Sequence, residues 1–368
     1  MLTITEEINI SNKKIKSIVH DAEKSAAAVN LIYVHDTQPG IKRVKKGKKF
    51  IYLSGTKKIE DESSLSRIRK LVIPPAWENV WICSMENGHL QATGIDLKKR
   101  KQYKYHSLWN SLRNHTKFYR LHSFGNSIPT IRQQLEKDLS RPGLPLEKVL
   151  AAVVCLMERT SIRIGNNMYE KLYGSFGLTT LKDKHVKIDG ASMQFTFKGK
   201  KGVSHNISLK SKRLASIVKQ CRDIPGKELF QYYDEHGQHK CIDSGMVNHY
   251  LKTISGEDFT AKDFRTWAGT VHALMAFKEL GSCDTTLTGT KKNIVTVLDS
   301  VAAHLGNTRT VCKKYYVHPA IITLYENKNL HRYLEELSAA EHHTEKTGLA
   351  TEEQLLMKIL EKEGLTLK

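Results

Sequence analysis

HVKIDGASMQFTFKGKKGVSHNISL, residues 185–209, is where the hydrophobic period of the chain changes. Apolar and polar residues alternate over 185–189, 192–199 and 202–209, with turn residues Asp189-Gly190 and Lys201-Gly202 between the runs. Period-two alternation broken by glycine turns predicts three antiparallel strands in a meander. On both sides the period is helical. HSLWNSLRNH, SIPTIRQQLEKDLS and LEKVLAAVVCLMERT come before it, the last two separated by Pro142-Gly143 and Pro145, and helical patterns resume from about 211 to the end. The larger part of the chain is therefore expected to be a mainly α-helical domain with a three-stranded meander set into it.

Residues before 106 read differently. LIYVHD (31–36) and KFIYLSG (49–55) have strand composition and are separated by the polar, basic stretch TQPGIKRVKKGK. ESSLSRIRKLV (62–72) has the serine-rich start of a short helix and stops at Pro74-Pro75. VWICSMENGHLQATGID (80–96) reads as a hairpin turning at Asn87-Gly88. The expected fold class is α+β. A small, β-rich N-terminal cap covers 1–106, a mainly helical domain 107–328, and an acidic helical tail 329–368, packed on or appended to that domain, with ATEEQLLMKILEKE as an amphipathic helix.

The chain has 368 residues, 58 Lys plus Arg against 38 Asp plus Glu, and a formal net charge of +20. Such an excess calls for a polyanion, either nucleic acid or an acidic membrane surface. From His331 onward acidic residues outnumber basic ones, eight to five, so the positive charge belongs to the body. No stretch approaches a membrane span, and no basic amphipathic helix has the strong apolar face that lies on a bilayer. Six scattered cysteines without a CxxC pair, and a start without an apolar leader, fit a cytosolic protein.

Four stretches carry residues suited to phosphate chemistry. They are RTSIRIGNNMYEKLYG (159–174) with Arg163, FTFKGKKGVSH (195–205) with Lys200 in a turn, AKDFRTWAGT (261–270) with Arg265 at a helix start, and HLGNTRTVCKKYYVHP (304–319) with Asn307, Tyr315 and Tyr316. Singly each has a bland reading. An arginine in a basic protein is usually solvated, KGKKG is a hairpin turn, LGN is a helix end, and a tyrosine fills a core.

Their order, with Tyr316 nine residues after Asn307, resembles the type IB DNA topoisomerases, in the compact branch formed by the poxvirus and bacterial enzymes. The flanks IRIGNxxY, LTTLKDKHV, FKGKKGVSH and KDFRTW share that resemblance, as do IPPAWENVWIC and GHLQATGIDLKKRKQYKYH in the cap; together they cover roughly residues 30–325. The resemblance implies that Arg163 and Arg265 contact the scissile phosphate. It implies that Lys200 is the general acid toward the 5′-oxygen, Asn307 a hydrogen-bond donor to a nonbridging oxygen, and Tyr316 the nucleophile that forms a 3′-phosphotyrosyl link. The broken strand then rotates, supercoils relax and the 5′-hydroxyl attacks back, with no cofactor, neither ATP nor metal. Asn307 stands where poxviral and eukaryotic members carry histidine, which favours the bacterial type.

The residue types suit that chemistry. A phenolic oxygen can attack phosphorus and conserve the bond for resealing. Two planar guanidiniums match the phosphate oxygens. The departing oxygen needs a proton, which a lysine beside other cations can supply. Tyr315 stands about 100° from Tyr316 if the stretch is helical and would face elsewhere.

In the cap, Lys98, Arg100, Lys101, Gln102, Tyr103 and Tyr105 match a segment that contacts duplex DNA in the family; the bland reading is a basic linker. The expected partner is duplex DNA, bound by a monomer in the cytoplasm at the nucleoid. Two basic domains joined near 106–112 suggest a clamp. The rival enzyme is a tyrosine recombinase, which carries His-x-x-Arg where this chain has Lys262-Asp263-Phe264-Arg265. The noncatalytic rival is an architectural DNA-binding protein.

Overall fold

The computed structural model describes residues 21–47, 49–97, 101–281, 286–339 and 347–363. They divide into two units, with the boundary between Arg120 and Leu121.

In the first unit, Asp21 caps helix α1 (Ala22–Ala27), its carboxylate accepting from the amides of Glu23 and Lys24. A six-stranded antiparallel sheet follows, built from β1 (Ile41–Lys46), β2 (Lys49–Ser54), β3 (Lys57–Lys58), β4 (Glu78–Ile82), β5 (Leu90–Ile95) and β6 (Lys101–Tyr105), in the order β3-β2-β1-β4-β5-β6. Helix α2 (Glu62–Lys70), capped by Asp61, presses Ile68 against Ile41, Val80, Ile82 and Ala92 on one sheet face.

The sheet differs from the sequence expectation at its start. Residues 31–36 make only an isolated bridge, Ile32 to Gly88, and the strand is instead the basic run Ile41–Lys46. Its alternation is masked because Arg43 takes an inward position. The guanidinium lies 4.3 Å from the Phe50 ring centre and donates to the carbonyls of Ile73, Pro74 and Trp77. A long cationic side chain that satisfies three carbonyls fills a place normally marked by an apolar residue.

Helix α3 (Ser107–Leu139) runs unbroken across 107–112, where the joint between domains was expected, and across Pro129. The proline removes one amide donor, and the carbonyl it leaves free is that of Gly125. A Cβ at Gly125 would meet the Trp267 ring and the Met357 sulfur, so that turn is closely packed.

In the second unit, α4 (Leu146–Thr160) is buried almost all round, with Val149 through Val154 inaccessible or nearly so. A helix without a polar face belongs at the centre of a core. Around it come α5 (Asn167–Tyr173), the meander β7 (Val186–Asp189), β8 (Ser192–Lys198) and β9 (Ser204–Lys210), and α6 (Lys212–Arg222). In β8, Met193, Phe195 and Phe197 point inward in strict alternation. A small hairpin, β10 (Gln231–Tyr233) with β11 (His239–Cys241), interrupts the helices where the sequence reading expected none. Then follow α7 (Ser244–Ser255), α8 (Ala261–Leu280), α9 (Leu287–Leu305), α10 (Arg309–Tyr315), α11 (Pro319–Glu326), α12 (Leu330–Ala339) and α13 (Thr351–Lys362). Helix α13 packs on α8 and buries Leu355, Leu356, Ile359 and Leu360 in the common core.

Candidate active site

Three backbone devices in the second unit bring distant side chains to one pocket. The first ends α4. Ser161 adopts left-handed φ 53°, and the chain leaves as an extended segment through Arg163. Leu178 and Thr179 donate to the carbonyls of Arg163 and Ile164 at 2.9 and 2.7 Å, holding the segment in place. Gly177 is a close-approach glycine, since a Cβ there would lie 2.5 Å from the Arg163 oxygen.

The second is the turn between β8 and β9. Gly199 donates to Val203 at 2.7 Å and Gly202 to Gly199 at 3.0 Å, with Lys201 and Gly202 in the left-handed region. Lys200 is exposed at this tip, its Nζ 5.7 Å from the centre of the Tyr169 ring.

The third ends α9. Gly306 closes the helix in the left-handed conformation, so the bland reading of LGN as a helix end is right about its backbone. The turn has a second use. The Gly306 carbonyl accepts from Arg163 Nη2 at 2.9 Å, and Asn307 Oδ1 accepts from the same nitrogen.

Arg265 enters from the second turn of α8, a helix that Asp263 caps by accepting from the Thr260 amide at 2.8 Å. The arginine is only 5 % exposed. It donates to the carbonyl of Ser161 through Nη1 and to that of Leu305, at 2.7 Å, through Nη2. It is thereby tied to the ends of both α4 and α9. Tyr316 follows the last turn of α10, and its ring faces the Arg265 guanidinium.

A pocket of about 240 Å³ is lined by Arg163, Tyr169, Lys200, Lys262, Arg265 and Tyr316, among others. Four of the five expected residues line it, and Asn307 adjoins it through Arg163. Tyr315 does not line it; its ring has the Lys314 ammonium 5.4 Å away. Lys262 and Tyr169 were passed over individually in the sequence, although each lies in a quoted motif.

The electrostatics are those of an anion site. Burial and the neighbouring Arg265 push Arg163 down to about 10, and burial likewise lowers Arg265. Among the described residues neither guanidinium pairs with a carboxylate; their partners are carbonyls, the Asn307 amide and, for Arg265, the Tyr316 hydroxyl. Two donors, Arg265 Nε and Asn307 Nδ2, are buried without a hydrogen-bond partner. Buried orphan donors beside two uncompensated cations favour a bound group with several negative oxygens.

Of the cap residues, Lys98 and Arg100 lie outside the described residues. Lys101 pairs with Asp36 at 2.6 Å, and Gln102 donates to Asp96 at 3.0 Å. Tyr103 and Tyr105 stack with centres 6.0 Å apart, Tyr103 being 48 % exposed. Among the described residues no group of acids, histidines and cysteines could hold a metal ion, and no helix is long and apolar enough to cross a membrane.

A phenol set against an oxyanion cradle, on a chain of such positive charge, marks the class of proteins that act on the phosphodiesters of nucleic acid. The family model for the catalytic core of eukaryotic DNA topoisomerase I matches residues 99–347, and that for the N-terminal domain of bacterial DNA topoisomerase IB matches 49–96. The chain belongs to the type IB DNA topoisomerases. It is 34% identical over 298 residues to DNA topoisomerase 1B of Acanthamoeba polyphaga mimivirus, covering 78% of this chain and 88% of that protein. It is also 26% identical over 242 residues to DNA topoisomerase 1B of Vaccinia virus (strain Copenhagen), covering 64% and 72%. The function is accordingly that of a type IB DNA topoisomerase acting on duplex DNA, and neither the recombinase nor the architectural reading is favoured.

Proposed function

We propose that Tyr316 is the nucleophile of a reaction in which Arg163, Arg265 and Asn307 hold the scissile phosphate and Lys200 protonates the leaving group. The observation that carries this reading is the pair of orphan donors, Arg265 Nε and Asn307 Nδ2, beside two cations without a carboxylate partner. The phenolic oxygen of Tyr316 bonds to phosphorus while the bond to the 5′-oxygen breaks. The phenol proton passes to solvent, and the 5′-oxygen takes a proton from Lys200. Charge gathering on the nonbridging oxygens meets donors already in position, each worth on the order of 3 kcal/mol of barrier in such sites. Strand rotation about the intact partner relaxes supercoils, and the reverse attack by the 5′-hydroxyl reseals the nick. The scheme asks for neither ATP nor metal. A monomer acting at the nucleoid is the simplest form of this reading, with Lys98, Arg100, Lys101, Gln102, Tyr103 and Tyr105 of the cap as duplex contacts.

The test is relaxation of negatively supercoiled plasmid in EDTA without ATP, by the wild type, Tyr316→Phe and Tyr315→Phe. Relaxation by the wild type and Tyr315→Phe, with a Tyr316→Phe protein that binds DNA and does not relax it, supports the assignment. A dead Tyr315→Phe beside an active Tyr316→Phe would move the nucleophile by one residue.

A further inference from the structure

His205 is used by none of these steps, yet its ring touches two of the elements that carry them. It stands on β9 opposite Phe197 of β8, and the two rings stack with centres 5.0 Å apart and planes 20° apart. On one side lies Gly199, immediately before Lys200; a Cβ at Gly199 would sit 2.6 Å from His205 Nε2. On the other lies Gly306, immediately before Asn307, where a Cβ would sit 2.5 Å from His205 Cε1. The backbone explains only one of these glycines. Gly306 has φ 59°, but Gly199 has φ −90° and ψ −163°, an extended conformation open to any residue. What excludes a side chain at Gly199 is the imidazole.

We infer that His205 is a positioning residue that wedges the hairpin bearing Lys200 against the Gly306-Asn307 turn, so that proton donor and oxyanion donors address the same phosphate. The inference rests on the roles proposed above for Lys200 and Asn307. The wedge works because both neighbours are stiff. The hairpin tip is closed by the Gly199–Val203 and Gly202–Gly199 hydrogen bonds, and the Gly306 carbonyl is fixed by Arg163. The ring bears on both, and a shift of either would be felt at its neighbour. Burial, with Arg163 and Arg265 nearby, holds the imidazole below its ordinary pKa, so the wedge adds no third positive charge to those of the two guanidiniums.

The test uses single-turnover cleavage of a duplex with a mapped cleavage site, in two forms. One has the natural 5′-oxygen; the other has sulfur at that bridging position, which departs as a thiolate and needs no proton. His205→Ala is expected to slow cleavage of the oxygen duplex about 10²-fold, the scale of a misplaced catalytic group. With the proton requirement gone, its deficit on the sulfur duplex should shrink to roughly threefold. Gly199→Ala, which forces a methyl into the ring, should behave alike, and the double variant should be no slower than His205→Ala because the methyl then enters vacated space. Gly199→Ala carries the same test should His205→Ala fail to fold. Wild-type cleavage of the oxygen duplex by His205→Ala overturns the inference, as does an equal loss on both duplexes. Lys200→Ala separates the two levels. If sulfur rescues Lys200→Ala and not His205→Ala, only the wedge falls; if sulfur does not rescue Lys200→Ala, the general-acid reading falls and takes the wedge with it.

Discussion

The guanidinium carbon of Arg265 lies 5.3 Å from the centre of the Tyr316 ring, and both residues are fixed by the same helix. Arg265 sits at the start of the second turn of α8. One turn later, Gly269 backs onto the Tyr316 main chain. The Thr270 hydroxyl then lies 3.2 Å from the Tyr316 carbonyl oxygen and accepts from the His318 amide at 3.1 Å. A cation over the ring face favours electron density on the phenol as its proton leaves. A single helix therefore sets the distance between the Arg265 guanidinium and the Tyr316 phenol.

Replacing Arg265 by lysine should expose the value of the fork. A single ammonium cannot reach the Ser161 and Leu305 carbonyls and also aim an Nε donor at the phosphate. Single-turnover cleavage is expected to fall about 10²- to 10³-fold, as when one preorganised donor is lost. Duplex affinity, measured by gel shift in the same salt, should change little, because a +20 chain has many other phosphate contacts to offer. Parallel losses in affinity and cleavage would mean that Arg265 serves binding rather than the transition state.

Gly269→Ala offers a prediction whose sign is diagnostic. In an exposed helix interior the change would stabilise by about 1 kcal/mol. Here the new Cβ would lie 2.7 Å from the Tyr316 carbonyl oxygen and 3.0 Å from Leu305 Cδ1, and a backbone oxygen cannot yield cheaply. The expected outcome is a loss of about 1–3 kcal/mol in urea unfolding, the usual cost of overpacking. Cleavage should slow about 10²-fold as Tyr316 is displaced. A more stable, fully active variant would show that α8 and the tyrosine turn separate easily.

These relationships divide what the sequence discloses from what it does not. The meander was legible because Met193, Phe195 and Phe197 alternate without exception, and the convergence of Arg163, Lys200, Arg265 and Tyr316 on one pocket because they fall in motifs with fixed order. What escaped was set by distant partners. β1 was hidden by Arg43, whose inward position makes sense only once the Ile73, Pro74 and Trp77 carbonyls are in place. The continuity of α3 through Pro129 goes with Trp267 and Met357 packed close around Gly125, both far along the chain. His205 looked like one polar residue in an alternating strand, and its two glycine neighbours lie in different elements.

The first unit should carry its own acid sensitivity, and His89 is the reason. The ring is 4 % exposed, stacks on Tyr33 at 4.2 Å and accepts at Nδ1 from the Val34 amide at 3.0 Å, so it must be neutral at that nitrogen. Burial pushes it down to about 4, below the ordinary 6.5. The unfolded chain then binds the extra proton first. The contribution is complete above pH 6.5 and is lost progressively as the pH falls from 6.5 to 4, amounting to on the order of 3 kcal/mol. Trp77, Trp81 and Trp109 all lie in this unit, so fluorescence-monitored unfolding across that range reads it directly. His89→Asn should be less stable at neutral pH and should flatten the profile. An unchanged slope would assign the acid sensitivity to another group.

The acidic C-terminal region bears on the active-site helix through one carboxylate. Glu353, near the start of α13, is 7 % exposed. It accepts from Arg132 twice at 2.9 Å, from Trp267 Nε1 at 2.9 Å and from the Ala350 amide at 2.9 Å. Trp267 is two residues from Arg265 on α8, so this carboxylate ties the tail to the helix that carries the cradle. Removing it strands a buried indole N–H and leaves Arg132 with Glu158 as its remaining carboxylate partner. Glu353→Ala should therefore cost about 3–5 kcal/mol in urea unfolding, the price of breaking a buried pair from one side. Glu353→Gln, which keeps an acceptor for Trp267, should cost less. If the α13 region were an appendage, both variants would unfold with the wild type and a chain ending at residue 346 would stay soluble and active. Burial of Leu355, Leu356, Ile359 and Leu360 in the common core predicts the opposite, a truncated chain that aggregates as this apolar face is uncovered.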